Sequence, residues 1–216
     1  MRVDLHCHTR FSRDSLMTFE ALVRWMERRG LDMVAITDHD TIAGALDFSA
    51  RAPERFLVGE EIRTTHGDVL ALFLENEVPP GLSLEETIGR VHAQGGLVGA
   101  AHPLDRSRGE GMGMEMLEAI HEQLDFVEVL NARTIYASDN RLAGEMAARW
   151  GLPGSAGSDA HAPFEVGRAF VEMPAFDSPQ AFLRSLALGQ SHGRLSSPLV
   201  HFYSTYAKWR KRSRAR

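Results

Sequence analysis

The sequence predicts an α/β fold in one domain, and three observations carry that prediction. Short apolar runs rich in Val, Ile and Leu alternate with longer stretches of helical spacing, the pattern of successive βα units rather than of hairpins. Most of these runs are nearly continuous, as expected of parallel strands that helices cover on both faces. No internal repeat, low-complexity segment or long Gly/Ser linker precedes residue 195, so residues 1–195 of the 216 form one domain and 196–216 a basic aromatic tail.

Taken in order, the expected strands are RVDLHC, MVAITD, FLVGEE, VLALFL, LVGAAH, FVEVLN and a short PGSAGS. Helices are expected near 18–29, 41–51, 84–94, 112–123, 139–150 and 179–188. Ser83 with Glu86 three residues on fits a capping box, Ser178 before Pro179 fits an N-cap followed by a first-turn proline, and Gly30, Gly95 and Gly151 close three helices. Five basic residues among the last eight, WRKRSRAR, read as a frayed, solvated terminus.

Composition narrows the function classes. A net charge of −5 and a pI near 6.1 give no global basic field for nucleic acid. Cys7 is the sole cysteine, which excludes an intramolecular disulfide and suits a reducing compartment. The start MRVDLHC lacks the basic and apolar regions of a signal peptide, and no segment nears the ~20 apolar residues of a membrane span. A cytoplasmic protein without membrane contact is expected.

Chemistry gathers at the strand ends. His6 and His8 follow the first strand, Asp38, His39 and Asp40 the second, and Glu60 and Glu61 the third; His102, Asn131, and Asp159 with His161 follow later ones. Side chains two apart on a strand point the same way, so His6 can meet His8 and Asp159 can meet His161. In a barrel of parallel strands all carboxyl ends share the rim where active sites are built. Each residue alone has a plainer reading: a polar strand end for His6 and His8, a helix N-cap for Asp38, a loop carboxylate for Glu61, turn residues for His102 and Asp159. Together they form a ring of imidazoles and carboxylates that would be costly without divalent cations to neutralise it.

The blocks DLHCHTRFSRDS, ITDHD, GEEI, AAHP and GSDAHAPFEVGRA resemble the PHP (polymerase and histidinol phosphatase) family over about residues 3–170. The resemblance implies a distorted (β/α)7 barrel holding two or three divalent metal ions, Zn, Mn or Fe, that hydrolyse phosphate esters. It further implies that His6 and His8 hold one metal, with Asp159 nearby. Glu61 would bridge to a second metal shared with His102, and Asp14, His39 and His161 would hold the third. Asn131 stands where some members have a further histidine, a weaker donor that would loosen the second metal. The chain is similar to the small stand-alone members of the family, some of which act on nucleotides or oligonucleotide ends.

Clustered cations activate water for attack on phosphorus, so no side-chain nucleophile is required. None is evident: the chain has no Gly-x-Ser-x-Gly elbow and no P-loop, and Cys7 is expected to be buried. Asp38 is expected to orient His39, and Asp40 to assist or move protons. A phosphate clamp is expected from Arg133 and Arg168, with Arg106 and Arg108 as further choices. His66 reads as a loop residue. Met112, Met114 and Met116 read as core beside a flexible entrance.

The expected substrate is a small phosphorylated compound, with a short oligonucleotide as an option. Tail aromatics Phe202, Tyr203, Tyr206 and Trp209 among Lys208, Arg210, Lys211 and Arg212 would stack on and pair with a strand, or would dock as a helix on the barrel. Rival functions are an amidohydrolase-like metal hydrolase, whose sites use a lysine or glutamate bridge, and a catalytically weak metal-stabilised interaction module.

Overall fold

The computed structural model describes residues 1–107 and 111–214. All seven expected strands form: β1 (Arg2–Cys7), β2 (Met33–Ile36), β3 (Phe56–Thr64), β4 (Gly67–Leu72), β5 (Leu97–Ala100), β6 (Phe126–Asn131) and β7 (Gly154–Gly157). Two short strands follow, β8 (Ala169–Glu172) and β9 (Gln190–Gly193), and the nine lie in the order β7-β6-β5-β4-β3-β2-β1-β8-β9. The helices are α1 (Phe19–Arg29), α2 (Ala43–Arg51), α3 (Leu84–His92), α4 (Gly113–Ile120), α5 (Ala137–Trp150), α6 (Pro179–Ala187) and α7 (Val200–Arg214). The result is a distorted, nearly closed βα barrel.

One expectation of the sheet is corrected. β4 runs antiparallel to both β3 and β5, while β1-β2-β3 and β5-β6-β7 are parallel. Only Thr65 and His66 separate β3 from β4, too few for the crossover a parallel pair needs, so this pair is a hairpin. Most caps behave as expected: Ser83 Oγ accepts from Glu86 N–H at 3.1 Å, Ser178 Oγ from Ala181 N–H at 3.3 Å, and Gly30 and Gly151 end their helices in the left-handed region. The capping box is not completed, because the Glu86 carboxylate turns to Arg90, and α3 ends at His92 with Ala93 as its cap, short of Gly95.

The barrel seam sets up the site. Past its last residue the β7 segment continues along the end of β1, with Asp159 N–H donating to His6 O at 2.7 Å and His8 N–H to Ala160 O at 3.0 Å. Gly157 permits this approach, because a Cβ there would stand 2.2 Å from His6 Cβ. Asp4, buried at the base of the seam, accepts from Ser158 N–H at 2.8 Å and Gly167 N–H at 3.0 Å, and burial raises its pKa to about 6. The reading of WRKRSRAR as frayed is also corrected: its residues 209–214 belong to α7, in which Ala207 is fully buried. Of its aromatics only Tyr203 packs inward, edge-on to Phe164 with ring centroids 6.1 Å apart, while Phe202, Tyr206 and Trp209 stay exposed.

Candidate metal centre

Six chain segments bring their side chains to one rim of the barrel. Four overlapping triplets have ligand atoms within 4.8 Å of one another: His8, His39 and His161; His6, His8 and Glu61; His6, His102 and Asp159; and Glu61, Asp68 and His102. Glu61 lies at their centre. Its Oε2 is 2.9 Å from His39 Nδ1, 3.3 Å from His8 Nε2 and 3.4 Å from His6 Nε2, while Oε1 is 2.9 Å from His102 Nε2. Glu60, the next residue on the pleat, points away; its Oε2 accepts from Val78 N–H, and burial raises its pKa to about 8.

The hydrogen bonds around the rim set the tautomers. His6 Nδ1 lies 3.0 Å from Glu128 Oε1, a pure acceptor, so Nδ1 carries hydrogen and Nε2 faces the centre. Ser12 hydroxyl donates to Asp38 Oδ1 at 2.6 Å, leaving its oxygen to accept from His8 Nδ1 at 3.1 Å. His161 Nδ1 donates to Asp159 O at 2.9 Å, and its Nε2 meets Asp14 Oδ1 at 3.3 Å. Three imidazoles thus spend Nδ1 on outer partners and aim Nε2 inward.

His6 Nε2 and His8 Nε2 stand only 3.1 Å apart. Two nitrogens so placed require a cation between or beside them, whether a proton or a metal ion. Burial opposes charge on both rings. On His6 the carboxylates of Glu128, Glu61 and Asp159 outweigh burial and lift the imidazole well above its ordinary value. On His8 burial and the adjoining His161 and His39 keep it well below. Burial likewise opposes ionisation of Glu61, but His39, His6 and His102 hold that carboxyl well below its ordinary range. The donor set therefore combines carboxylates, with Glu61 at their centre, and converging ring nitrogens, and it fits divalent cations bound by nitrogen and oxygen.

Backbone strain marks the same rim. Asp40, His102 and Asp159 have positive φ values of 57°, 28° and 52°, each at or just past a strand end. Such conformations cost about 1–3 kcal/mol each and concentrate where a side chain must be aimed.

Several expected residues take other parts. Asp38 does not touch the His39 ring; its oxygens accept from Thr9 N–H and Oγ1 and from Ser12 N–H and Oγ, so it orients His8 through Ser12. Asp40 turns outward to Arg63, accepting from its N–H at 3.1 Å. Asn131 donates from Nδ2 to Glu128 and Asp159, and its Oδ1 accepts from Arg133 N–H at 2.9 Å, making it a brace for Asp159. Arg133 is buried against Glu165 at 3.3 Å and donates to Val200 O and Ser204 Oγ of α7, so its guanidinium anchors that helix. Arg168 lies elsewhere, in a cleft with Arg2, Arg29 and Arg194. Arg106 pairs with Asp139 and covers the Tyr136 ring, and Arg108 is outside the described residues. His66 is an exposed turn residue, Met112 is core and Met114 is exposed.

The sequence reading missed Glu128, whose Oε2 also accepts from His102 N–H at 2.7 Å, and left out Asp68 as a ligand. A lone acid inside the apolar run FVEVLN was the available signal for Glu128.

A family model described as PHP domain matches residues 4–124, and one described as PHP-associated matches 137–191. Two uncharacterized proteins of Methanocaldococcus jannaschii are similar in sequence. MJ1587 is 36% identical over 61% of this chain and 82% of its own length, and MJ0417 is 33% identical over 87% and 80%. Among solved structures, PsfC of Pseudomonas syringae superposes with a TM-score of 0.71 at 18% identity, covering 96% of this chain and 97% of that one. A candidate metal-dependent phosphoesterase of Bifidobacterium adolescentis gives 0.62 at 24% over 74% and 88%. An amidohydrolase of Chromobacterium violaceum, solved with sulfate and no metal, gives 0.61 at 20% over 94% and 96%. Among the described residues no helix is long and apolar enough to cross a membrane.

Proposed function

Because the chain belongs to the PHP domain family, we propose that it is a metal-dependent phosphoesterase that hydrolyses a phosphomonoester on two or three divalent ions, Zn, Mn or Fe. His6, His8, Asp14, His39, Glu61, His102, Asp159 and His161 would hold them, with Asp68 joining Glu61 and His102 in place of Asn131. The observation that carries the proposal is the convergence of His6 Nε2 and His8 Nε2, 3.1 Å apart, beside the ionised Glu61. Such ions, when bound, supply Lewis acidity toward phosphoryl oxygens and acidify water.

The protein's own part is orientation and exclusion. Glu128, Ser12 and the Asp159 carbonyl hold three imidazoles with Nε2 inward, so little reorganisation is needed when the substrate arrives. Cys7 is buried and its thiol is pushed well above the ordinary range by burial and by the charges of Asp4 and Asp38, which removes it as a nucleophile. Both lysines of the chain, Lys208 and Lys211, stand on α7, so a strand-borne lysine bridge of the amidohydrolase kind has no residue to form it.

Nucleotides and short oligonucleotides are the substrates this proposal favours. α7 carries exposed Phe202, Tyr206 and Trp209, which offer base-stacking faces, and also lends Lys208, Lys211 and Arg212 to a cleft completed by Arg13. The test is metal analysis of the purified chain with a panel of chromogenic phosphomonoesters, nucleotides and oligonucleotides in Mn2+, with and without chelator. Chelator-sensitive phosphate release is expected. A metal-loaded chain that releases none across the panel would mean an interaction module instead.

A further inference from the structure

We propose that Lys208 is the side chain that takes the substrate's phosphoryl group at the mouth of the histidine and carboxylate cluster, which makes α7 part of the site rather than a separate tail. The inference rests on the metal-dependent phosphoesterase assignment and adds to it the cation that assignment lacks. Of the arginines expected to clamp phosphate, Arg133 is committed to Glu165 and α7, Arg168 lines another cleft, and Arg106 holds Asp139.

The only two lysines in the chain sit three residues apart on α7, hence on one face, and both turn toward the loop that follows β1. Lys211 donates to the carbonyl oxygens of Arg10 and Ser12, tying the end of the helix down. Arg133 ties the start through Val200 O at 3.2 Å and Ser204 Oγ at 2.9 Å. Between these anchors Lys208 Nζ reaches Asp14 Oδ2 at 3.3 Å, and Asp14 in turn faces His161 at 3.3 Å and His39 at 3.6 Å.

Lys208 is also where two spaces meet. It lines the cavity of about 220 Å³ over the cluster, with Asp14, His39, Arg133 and His161, and the adjoining cleft of about 400 Å³, with Arg13, Lys211 and Arg212. Lys208 therefore stands between the cationic cleft and the cluster, and the other cation lining the inner cavity, Arg133, is held by Glu165. Lysine suits the position, being a compact point charge with three donors on a flexible stem that can turn from Asp14 to a phosphoryl oxygen without moving the helix.

Inorganic phosphate, the product of the proposed reaction, is the probe. The full chain is loaded with Mn2+, and its affinity for phosphate is measured by calorimetry for wild type, Lys208→Gln and Lys208→Arg, alongside metal content, thermal melting and KM for a chromogenic ester. Lys208→Gln is expected to weaken phosphate binding about tenfold and raise KM by a similar factor, one charge-assisted contact being worth about 1.4 kcal/mol or more. Metal content and melting should hold, and Lys208→Arg should restore most of the affinity. Unchanged phosphate affinity in Lys208→Gln overturns the assignment, and so does a loss of metal in that variant, which would make Lys208 a support for Asp14. Wild-type metal analysis separates the two failures: a chain without metal overturns the phosphoesterase proposal and this inference with it, while a loaded chain indifferent to Lys208→Gln overturns the role of Lys208 alone.

Discussion

Glu128→Gln tests the logic of the centre most directly, because it changes a charge without changing shape. The carboxylate serves three donors: His6 Nδ1 at 3.0 Å on one oxygen, and His102 N–H at 2.7 Å with Asn131 Nδ2 at 3.1 Å on the other. A glutamine offers one oxygen and one NH2, so one side must now face a donor with a donor. If the NH2 faces His6, the ring must move its hydrogen to Nε2 and close the lone pair that points at the centre. If it faces His102 and Asn131, a buried backbone N–H loses its acceptor at about 1–3 kcal/mol. The first outcome harms the site more than the fold, and loss of such an outer partner typically weakens metal binding about 10–100-fold. Competition with a calibrated chelator, run beside a thermal melt, measures both. A Glu128→Gln protein that binds Mn2+ or Zn2+ as tightly as wild type and melts at the same temperature would refute the tautomer argument.

Other substitutions separate the parts. Glu61→Gln should lower turnover by ~100-fold or more and release metal, since one carboxylate faces four imidazoles, while Arg168→Ala stays within about twofold; similar small losses in both would count against a central role for Glu61. Glu60, buried with a pKa raised to about 8, keeps its proton in the folded state over a range where the unfolded chain gives it up, so its own contribution to stability falls as pH rises from about 4.5 to 8. Glu60→Gln should match wild type near pH 4 and gain a few kcal/mol over it by pH 8.5, at ~1.4 kcal/mol per unit; a stability difference flat with pH, followed by denaturant titration, would dispose of this. Gly157→Ala sets a methyl against His6 Cβ and should lower the denaturant midpoint by an amount corresponding to about 1–3 kcal/mol, with metal lost in parallel. A midpoint unchanged from wild type would mean the seam is looser than its distances indicate.

The residues of the candidate cluster were legible because each ends an apolar run, and a parallel barrel sends all such ends to one rim. His6, His8, His39, Glu61, His102, Asp159 and His161 needed only that rule. What failed was inference from adjacency in sequence. Asp38 precedes His39 yet turns to Thr9 and Ser12, because successive side chains at a strand end diverge. Arg168 follows His161 by seven residues, but the chain has by then turned toward Arg29 and Arg194. Glu128 was hidden by its setting, since a buried strand is expected to be apolar and its single acid was passed over. The β3–β4 hairpin was masked in the same way by two continuous apolar runs, and the polar turn between them, Thr65 and His66, read as loop. A helix docked on the barrel was among the readings of the tail, but the side it docks was not legible, because that side is a thin line through Val200, Ser204 and Ala207 with Phe202, Tyr206 and Trp209 outside.

The seam between β1 and the 158–161 segment carries a consequence for biogenesis. Asp4 and Ser158, which bond across it, are 154 residues apart, so one half of the cluster leaves the ribosome long before the other. During that interval His6, His8 and His39 lack Asp159 and His161, the partners that complete the cluster. Pairing over so long a span favours late closure, and an ion held when the last segment arrives would then be enclosed. Metal supply during synthesis, as much as intrinsic affinity, would then govern what the mature protein contains, and refolding in a chosen metal should yield populations that simple dialysis of the finished protein does not.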